Sequence, residues 1–222
     1  MSFINYSLGA NYLIHILMKK ITFVILFLSV IHFIQGQEKG KFRFGLDAGL
    51  VAGAAGGGGG TFVIEPKFNL KDNLNVGLRF EGAGMFKDLY YIDAERDNYN
   101  TTEMVSFSFL ATSDYYYAIK KEGRGSFAPF VGGGLGIYKV SNVYYTAEQL
   151  DANNSHNTKA SSVFGGMLRT GFEWRKFRLT AEYNFVPKTD LQDYYGNVIG
   201  EEKNSYFGLT IGFYLGGGKW RR

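Results

Sequence analysis

The segment FRLTAEYNFV, residues 177–186, alternates between two kinds of side chain. Apolar residues take one set of alternate positions, and polar or ionic residues take the other: Phe177, Leu179, Ala181, Tyr183 and Phe185 against Arg178, Thr180, Glu182 and Asn184. Successive side chains of a β-strand point to opposite faces, so a period of two predicts a strand. The segment is therefore predicted to separate an apolar environment from a polar one.

Seven further stretches repeat this pattern, over residues 41–52, 61–70, 74–86, 103–117, 127–139, 160–174 and 205–215. None of the chain from Lys41 onward holds the spacing of a buried helix, which predicts an all-β protein. In 127–139, Phe130 and Tyr138 leave the two faces undecided. The strands are longer than the roughly 5 or 6 residues usual in soluble sheets and reach the length that a tilted strand needs to cross a bilayer.

Short and long connections alternate along the chain. The short ones are 71–73, 118–126 and 175–176, and the longer ones are the glycine-rich 53–60 followed by the polar 87–102, 141–159 and 187–204. With an even strand number, this places both termini with the short turns and four loops on the opposite side. The pattern predicts an eight-stranded antiparallel up-and-down transmembrane barrel. Pro66 removes a ladder hydrogen bond and predicts a bulge.

The polar face distinguishes a membrane barrel from a soluble one. An eight-stranded barrel has just enough interior for side chains, so small residues and paired charges are expected inside. The sequence predicts a structural luminal network in which Arg43 lies with Asp47, Glu65 with Lys67, Arg79 with Glu81, Arg169 with Glu173, and Arg178 with Glu182. The outward central positions carry no Lys or Arg, as lipid contact requires. Aromatic residues near the strand ends suit a membrane interface: Tyr115, Tyr117, Trp174, Phe177, Tyr183 and Phe213.

The N-terminal segment predicts export. Lys19 and Lys20 precede an apolar run over 21–34, which is too short to span a membrane as a helix, and Gly36 follows. Residues 1–36 are therefore predicted to be a signal peptide cleaved after Gly36, with Met18 as an alternative translation start and a membrane anchor as the other interpretation. A short segment 37–40, the barrel 41–215 and a tail 216–222 follow.

Composition excludes several classes of protein. The 222-residue chain has no Cys, so it has no disulfide, thiolate metal site, cysteine nucleophile or lipidated cysteine. Without residues 1–36 the chain keeps 22 basic and 20 acidic residues, and no basic cluster is interleaved with aromatics. Nucleic acid is therefore not an expected partner.

The last predicted strand carries a pattern of its own. A polar residue is followed by a Gly two positions later and by apolar residues three and five positions after that Gly: Tyr206, Gly208, Ile211 and Phe213. With this pattern the chain resembles the small bacterial outer-membrane β-barrel family, the OmpA/OmpX-type barrels, over about residues 41–215. The tail 216–222 departs from the family, whose members usually stop at an aromatic residue.

The resemblance implies a location in the outer membrane of a Gram-negative bacterium, in contact with outer-membrane lipid and lipopolysaccharide. It also implies that the barrel-insertion machinery reads the closing strand as an assembly signal. Loops at 88–101 and 142–159 are the expected contact surfaces for an extracellular partner, because a rigid scaffold presents them.

Two other motifs lack the residues that their chemistry needs. Gly56–Gly60 and Gly216–Lys219 precede no predicted helix, so neither is a phosphate loop. Residues 93–98, DAERDN, place acids at alternate positions, but Asn98 and Met104 stand where a calcium loop needs Gly and Glu. No metal and no cofactor are predicted.

His156 is the one imidazole after residue 36, and it lies beside Ser155 and near Asp151. Some outer-membrane barrels that modify lipid A use a Ser/His/acid group at the outer rim, so a rim hydrolase is one alternative. A polar loop holds catalytic groups poorly, which favours a structural or surface-interaction role without catalysis. A secreted, lipocalin-like barrel that binds an apolar ligand is the third interpretation.

Overall fold

A computed structural model of the chain describes residues 38–93, 96–117, 127–146 and 159–217, and only the backbone of 88–93, 96–100 and 146. Ten strands lie in these ranges: β1 Phe42–Gly53, β2 Gly58–Lys71, β3 Leu74–Asp93, β4 Arg96–Tyr116, β5 Phe127–Thr146, β6 Ser161–Trp174, β7 Phe177–Phe185, β8 Thr189–Gln192, β9 Val198–Glu202 and β10 Tyr206–Gly216. Within the described residues, no helix has the length and hydropathy needed to cross a membrane.

Eight of these strands form a closed antiparallel barrel. β1 to β7 and β10 pair in the order β4-β3-β2-β1-β10-β7-β6-β5, and β4 pairs with β5 to close the cylinder. The first and last strands meet along their length, from Arg43 opposite Gly216 to Gly53 opposite Tyr206. The predicted eight-stranded antiparallel barrel is confirmed, and closure leaves no free edge in its wall.

Burial is inverted relative to a soluble barrel. Leu135, Phe164 and Ile211 are 62%, 63% and 62% exposed on the outer surface. Arg79 and Lys67, by contrast, are 0% and 1% exposed inside. On the outward positions of the barrel strands with described side chains, the charged residues are Glu103 and Lys139, both near the loop side. In β5 the structure resolves the undecided faces, because Phe130 and Tyr138 are buried inside.

The connections differ from prediction at the loop side. Residues 87–93 and 96–102 belong to β3 and β4, and 141–146 belong to β5, although all were predicted as loop. The predicted loop 187–204 contains the hairpin β8–β9, and β8 runs parallel to β5 opposite Asn142 and Val143. The extensions were missed because their sequences do not alternate between apolar and polar residues. In the β5 extension, Val143 and Tyr145 are buried beside Tyr194.

The predicted bulge at Pro66 is wrong. Pro66 faces Phe44 on β1 in regular register. On the β3 side, Ile64 pairs with Phe80 and Lys67 with Gly77, and the register does not shift between them. The ladder therefore loses contacts at Pro66 without inserting a residue, and the one shift on this pairing lies nearer the turn, between Asn69 and Lys71.

Candidate functional site

The barrel lumen holds a dense set of buried ionic side chains. Eleven of them lie on the inner wall, and each is at most 4% exposed: Arg43, Asp47, Glu65, Lys67, Arg79, Glu81, Asp114, Arg169, Glu173, Arg178 and Glu182. They reach the lumen because they occupy the inward positions of strands whose outward positions are apolar. Buried charges need partners, and most of these have several.

The central cluster is built around two carboxylates. Arg169 forms a bidentate pair with Glu65, with Nη2–Oε1 at 2.7 Å and Nη1–Oε2 at 3.0 Å, and its Nε donates to Asp114 at 2.7 Å. Lys67 contacts both Glu65 and Asp114. Arg178 approaches Asp114 to 3.2 Å and stacks on the ring of Phe130, 4.0 Å from its centroid. Three cations and two anions from four strands thus fill the middle of the lumen.

Smaller clusters lie on either side. Toward the turns, Arg43 pairs with Glu173 at 2.7 Å, and the Tyr116 hydroxyl donates to the same carboxylate at 2.5 Å. Toward the loops, Arg79 bridges Glu182 at 2.5 Å and Glu81 at 3.1 Å. The hydroxyls of Tyr206 and Thr61 donate to Glu81 as well, at 3.1 and 2.9 Å. The ion pairs link strands that are distant along the sequence.

The partners differ from the pairs that the sequence suggested. Glu65 with Lys67 and Arg79 with Glu81, each two residues apart, lie together as proposed. The three pairs spaced by four residues do not form, because such residues lie about 13 Å apart along a strand. Arg43 instead pairs with Glu173, Arg169 with Glu65 and Asp114, and Glu182 with Arg79. Asp47 makes no ion pair with any residue that the structure describes.

Asp114 is the luminal ion that sequence reasoning missed. It is fully buried and contacts Lys67, Arg169 and Arg178. The signal was present, because Ser106, Ser108, Thr112 and Asp114 share alternate positions of β4, but the following run of three tyrosines obscured the inward face. Three inward tyrosines were also missed as luminal residues: Tyr116, Tyr138 and Tyr214. Tyr206 was predicted on the polar face and is buried inside.

The lumen is not polar throughout. Above the Arg79 cluster, on the loop side, the inward side chains form an apolar layer that includes Met85, Met104, Met167, Val140 and Val186. Each of these five is at most 7% exposed. The inner wall therefore combines the predicted ionic and small residues with an apolar cluster that lies between the Arg79 cluster and the loop-side rim.

The β8–β9 hairpin is fixed to the rim by side-chain amides. The Asn142 amide donates to Thr189 Oγ1 and Asn204 Oδ1, both at 2.9 Å, and the Asn204 amide donates to the Pro187 carbonyl at 2.7 Å. At the hairpin turn, hydrogen bonds from the Asn197 side chain and from nearby backbone amides lower the pKa of Asp193. The hairpin is thus a structured part of the loop side.

The residues of the assembly pattern lie on both faces of β10. Tyr206 and Gly208 face inward, where Tyr206 contacts Glu81 and Gly208 lies beside the Glu182 side chain. Ile211 is 62% exposed and Phe213 is partly exposed on the outer face. The closing strand therefore contributes to both the luminal packing and the outer apolar surface.

Several candidate residues lie outside the described residues. These are Asp151, Ser155 and His156, the signal segment 1–36, and the end of the tail from residue 218. Glu95 of the acidic segment 93–98 also lies outside, and no side chain of that segment is described. Of the candidate contact loops, 88–101 is described as backbone except at 94–95, and 142–159 is described at 142–146 and 159. Among the described residues, no group of three His, Cys, Asp or Glu side chains could hold a metal ion.

No protein-family model matches the sequence, and no curated protein matches it. Solved structures similar to this chain include three that are each 14% identical to it. Neisserial surface protein A has a TM-score of 0.49, with 80% of this chain and 97% of that chain covered. The outer membrane protein OprG from Pseudomonas aeruginosa has a TM-score of 0.46, with 82% and 98% covered. The N-terminal β-barrel domain of Pseudomonas aeruginosa OprF has a TM-score of 0.43, with 80% and 99% covered. The assignment of a closed eight-stranded barrel rests on the strand register itself.

Proposed function

We propose that this chain is an integral outer-membrane β-barrel protein with a structural or surface-interaction role. The observation that carries the proposal is the inverted burial, with apolar side chains exposed around the cylinder and eleven ionic side chains at most 4% exposed inside it. A water-soluble barrel would place the ions outside, because an exposed apolar belt of this size favours aggregation in water. A lipid bilayer is the surrounding that satisfies both faces.

Aromatic side chains at both ends of the belt support this orientation. Tyr115, Tyr117 and Trp174 are exposed on the turn side, and Phe107 and Phe164 are exposed on the loop side. Rings at these two levels match the interfaces of a membrane. The proposed partners are outer-membrane lipid and lipopolysaccharide around the barrel, and the barrel-insertion machinery during assembly. The β8–β9 hairpin and the segments 88–101 and 142–159 would face an extracellular partner.

Cell fractionation tests the proposal. The protein is expected in the outer-membrane fraction and to need detergent for extraction, and the extracted protein should migrate faster on a gel before boiling than after. Recovery in the soluble secreted fraction without detergent would instead support the lipocalin-like interpretation. The strand alternation and closure described above would stand in either case, so the result decides location and not fold.

Catalysis is not part of the proposed function. The alternative rim enzyme would use Asp151, Ser155 and His156, and it predicts a change in lipid A acylation that depends on His156. We expect lipid A from cells expressing the unmodified protein and the His156→Ala variant to have identical acyl chains, measured by mass spectrometry. A difference that disappears in the variant would establish the enzyme.

A further inference from the structure

One patch of the inner wall has polar atoms that no protein group satisfies. Within the described part of the chain, the buried atoms without a hydrogen-bond partner include Asp47 Oδ1 on β1, Thr210 Oγ1 on β10, and Arg178 Nε and Thr180 Oγ1 on β7. These four residues are at most 3% exposed. Buried polar groups in folded proteins are nearly always hydrogen-bonded to protein or to ordered water, so the cluster calls for a ligand.

The strand register places these atoms side by side. Asp47 lies opposite Gly212, which lies opposite Arg178 on the other side of β10. Two residues further along, Thr210 lies between Gly49 and Thr180. Neighbouring strands are about 4.8 Å apart, so the side chains border one small region of the lumen. Gly212 has no side chain, and the Asp47 carboxylate occupies the place where a Cβ of Gly212 would lie, so Asp47 Oδ1 sits over β10.

The chemistry of the patch identifies its ligand. The Arg178 Nε group can only donate, the carboxylate oxygens of Asp47 can only accept when ionised, and the two threonine hydroxyls can do both. A bare cation would be repelled by Arg178, and an anion would be repelled by Asp47. Water both donates and accepts, and buried waters typically make about three hydrogen bonds to such groups.

We propose that the residues Asp47, Thr210, Thr180 and Arg178, here named the β1–β10–β7 pocket, bind ordered water. The bridging water solvates the carboxylate of Asp47, the one luminal acid without an ion pair among the described residues. Val51 follows on β1 toward the loop side and belongs to the apolar layer, which closes the pocket in that direction.

Replacing one threonine hydroxyl tests the pocket, because the presence or absence of a bound water predicts opposite changes in folding stability. Thr210→Val keeps the shape of the side chain and removes the hydroxyl, while the control Thr210→Ser keeps the hydroxyl. If water binds there, Thr210→Val should raise the unfolding equilibrium constant about fivefold, and Thr210→Ser should change it less. A buried hydroxyl without any partner would give the opposite result, because replacing it with a methyl group then stabilises the fold.

The second measurement does not depend on a variant. In the refolded protein in detergent micelles, NMR cross-peaks between long-lived water and the backbone amides of Gly49, Thr180 and Thr210 are expected, and Thr210→Val should weaken them. The proposal requires both the water cross-peaks in the unmodified protein and the loss of stability in Thr210→Val. Absence of the cross-peaks, or a Thr210→Val protein as stable as the unmodified one or more so, would overturn it.

Discussion

At the scale of single residues, the luminal acids differ in how many cations they contact. Glu65 contacts Arg169 through two hydrogen bonds and lies 3.2 Å from Lys67 and 3.6 Å from Arg178. Asp47, on the neighbouring strand, makes no ion pair among the described residues. Removing one member of a buried ionic network leaves its partners uncompensated, which costs more than the pair itself contributes. Replacing each acid by its amide should therefore change the free energy of unfolding by different amounts.

Glu65→Gln should lower the free energy of unfolding by about 3 to 5 kcal/mol, because it leaves three buried cations with less than their complement of negative charge. Asp47→Asn, the matched change, should alter it by about 1 kcal/mol or less, because it removes a charge that no cation neutralises directly. Urea unfolding of both variants in lipid vesicles, followed by tryptophan fluorescence, measures the difference. Equal losses would contradict the asymmetry of the network.

At the scale of one element, two adjacent residues of β10 point to opposite sides of the barrel wall. Leu209 is 48% exposed on the outside, and Thr210 is 1% exposed on the inside. Leu209→Arg should cost about 2 to 4 kcal/mol near the bilayer midplane and reduce the membrane-inserted, heat-shifting fraction. Thr210→Ser should leave that fraction unchanged. If both variants insert equally well, the assignment of the outer and inner faces is wrong.

The β8–β9 hairpin depends on its amide contacts at the rim. Asn204 joins the Pro187 carbonyl to Thr189, and Asn142 donates to both Thr189 and Asn204. Asn204→Ala should loosen the hairpin without unfolding the barrel and should accelerate proteolysis at the exposed turn 193–197 several-fold. The control is Lys188→Ala, which removes a largely exposed 3.8 Å ion pair with Glu201 and should have little effect. Equal cleavage rates in the two variants would contradict the role of Asn204.

The strands show what sequence alternation can and cannot predict. All eight barrel strands were predicted, because each separates lipid from a packed lumen and so must alternate. The strand extension at 96–102 and the hairpin β8–β9 were missed, because the sequence of neither alternates between apolar and polar residues. Alternation also placed Arg43 and Arg169 inside, but it carries no information on register. Their partners, Glu173 and Asp114, follow from the strand order and from contacts across the lumen.

At the scale of the whole molecule, two kinds of packing fill the lumen at different levels, one made of ion pairs and the other of apolar side chains. The central cluster around Glu65 and Asp114 fills the bore with ion pairs that would have to separate before an ion or solute could pass. The apolar layer with Met85, Met104 and Met167 lies closer to the loops and packs across the lumen there. These two closures are independent, because one depends on charge pairing and the other on apolar packing.

Loss of one closure should therefore leave the barrel impermeable. Proteoliposomes with the unmodified protein should not swell in an isotonic sugar solution, and neither should those with a Met85→Ser/Met104→Ser variant, because the ion pairs below remain intact. A general porin in the same assay gives the positive control for swelling. Since the serine variant should admit water only down to the Arg79 cluster, sugar entry through it would mean that the ionic clusters do not fill the bore. Sugar entry through the unmodified protein would contradict both closures and the proposed structural role.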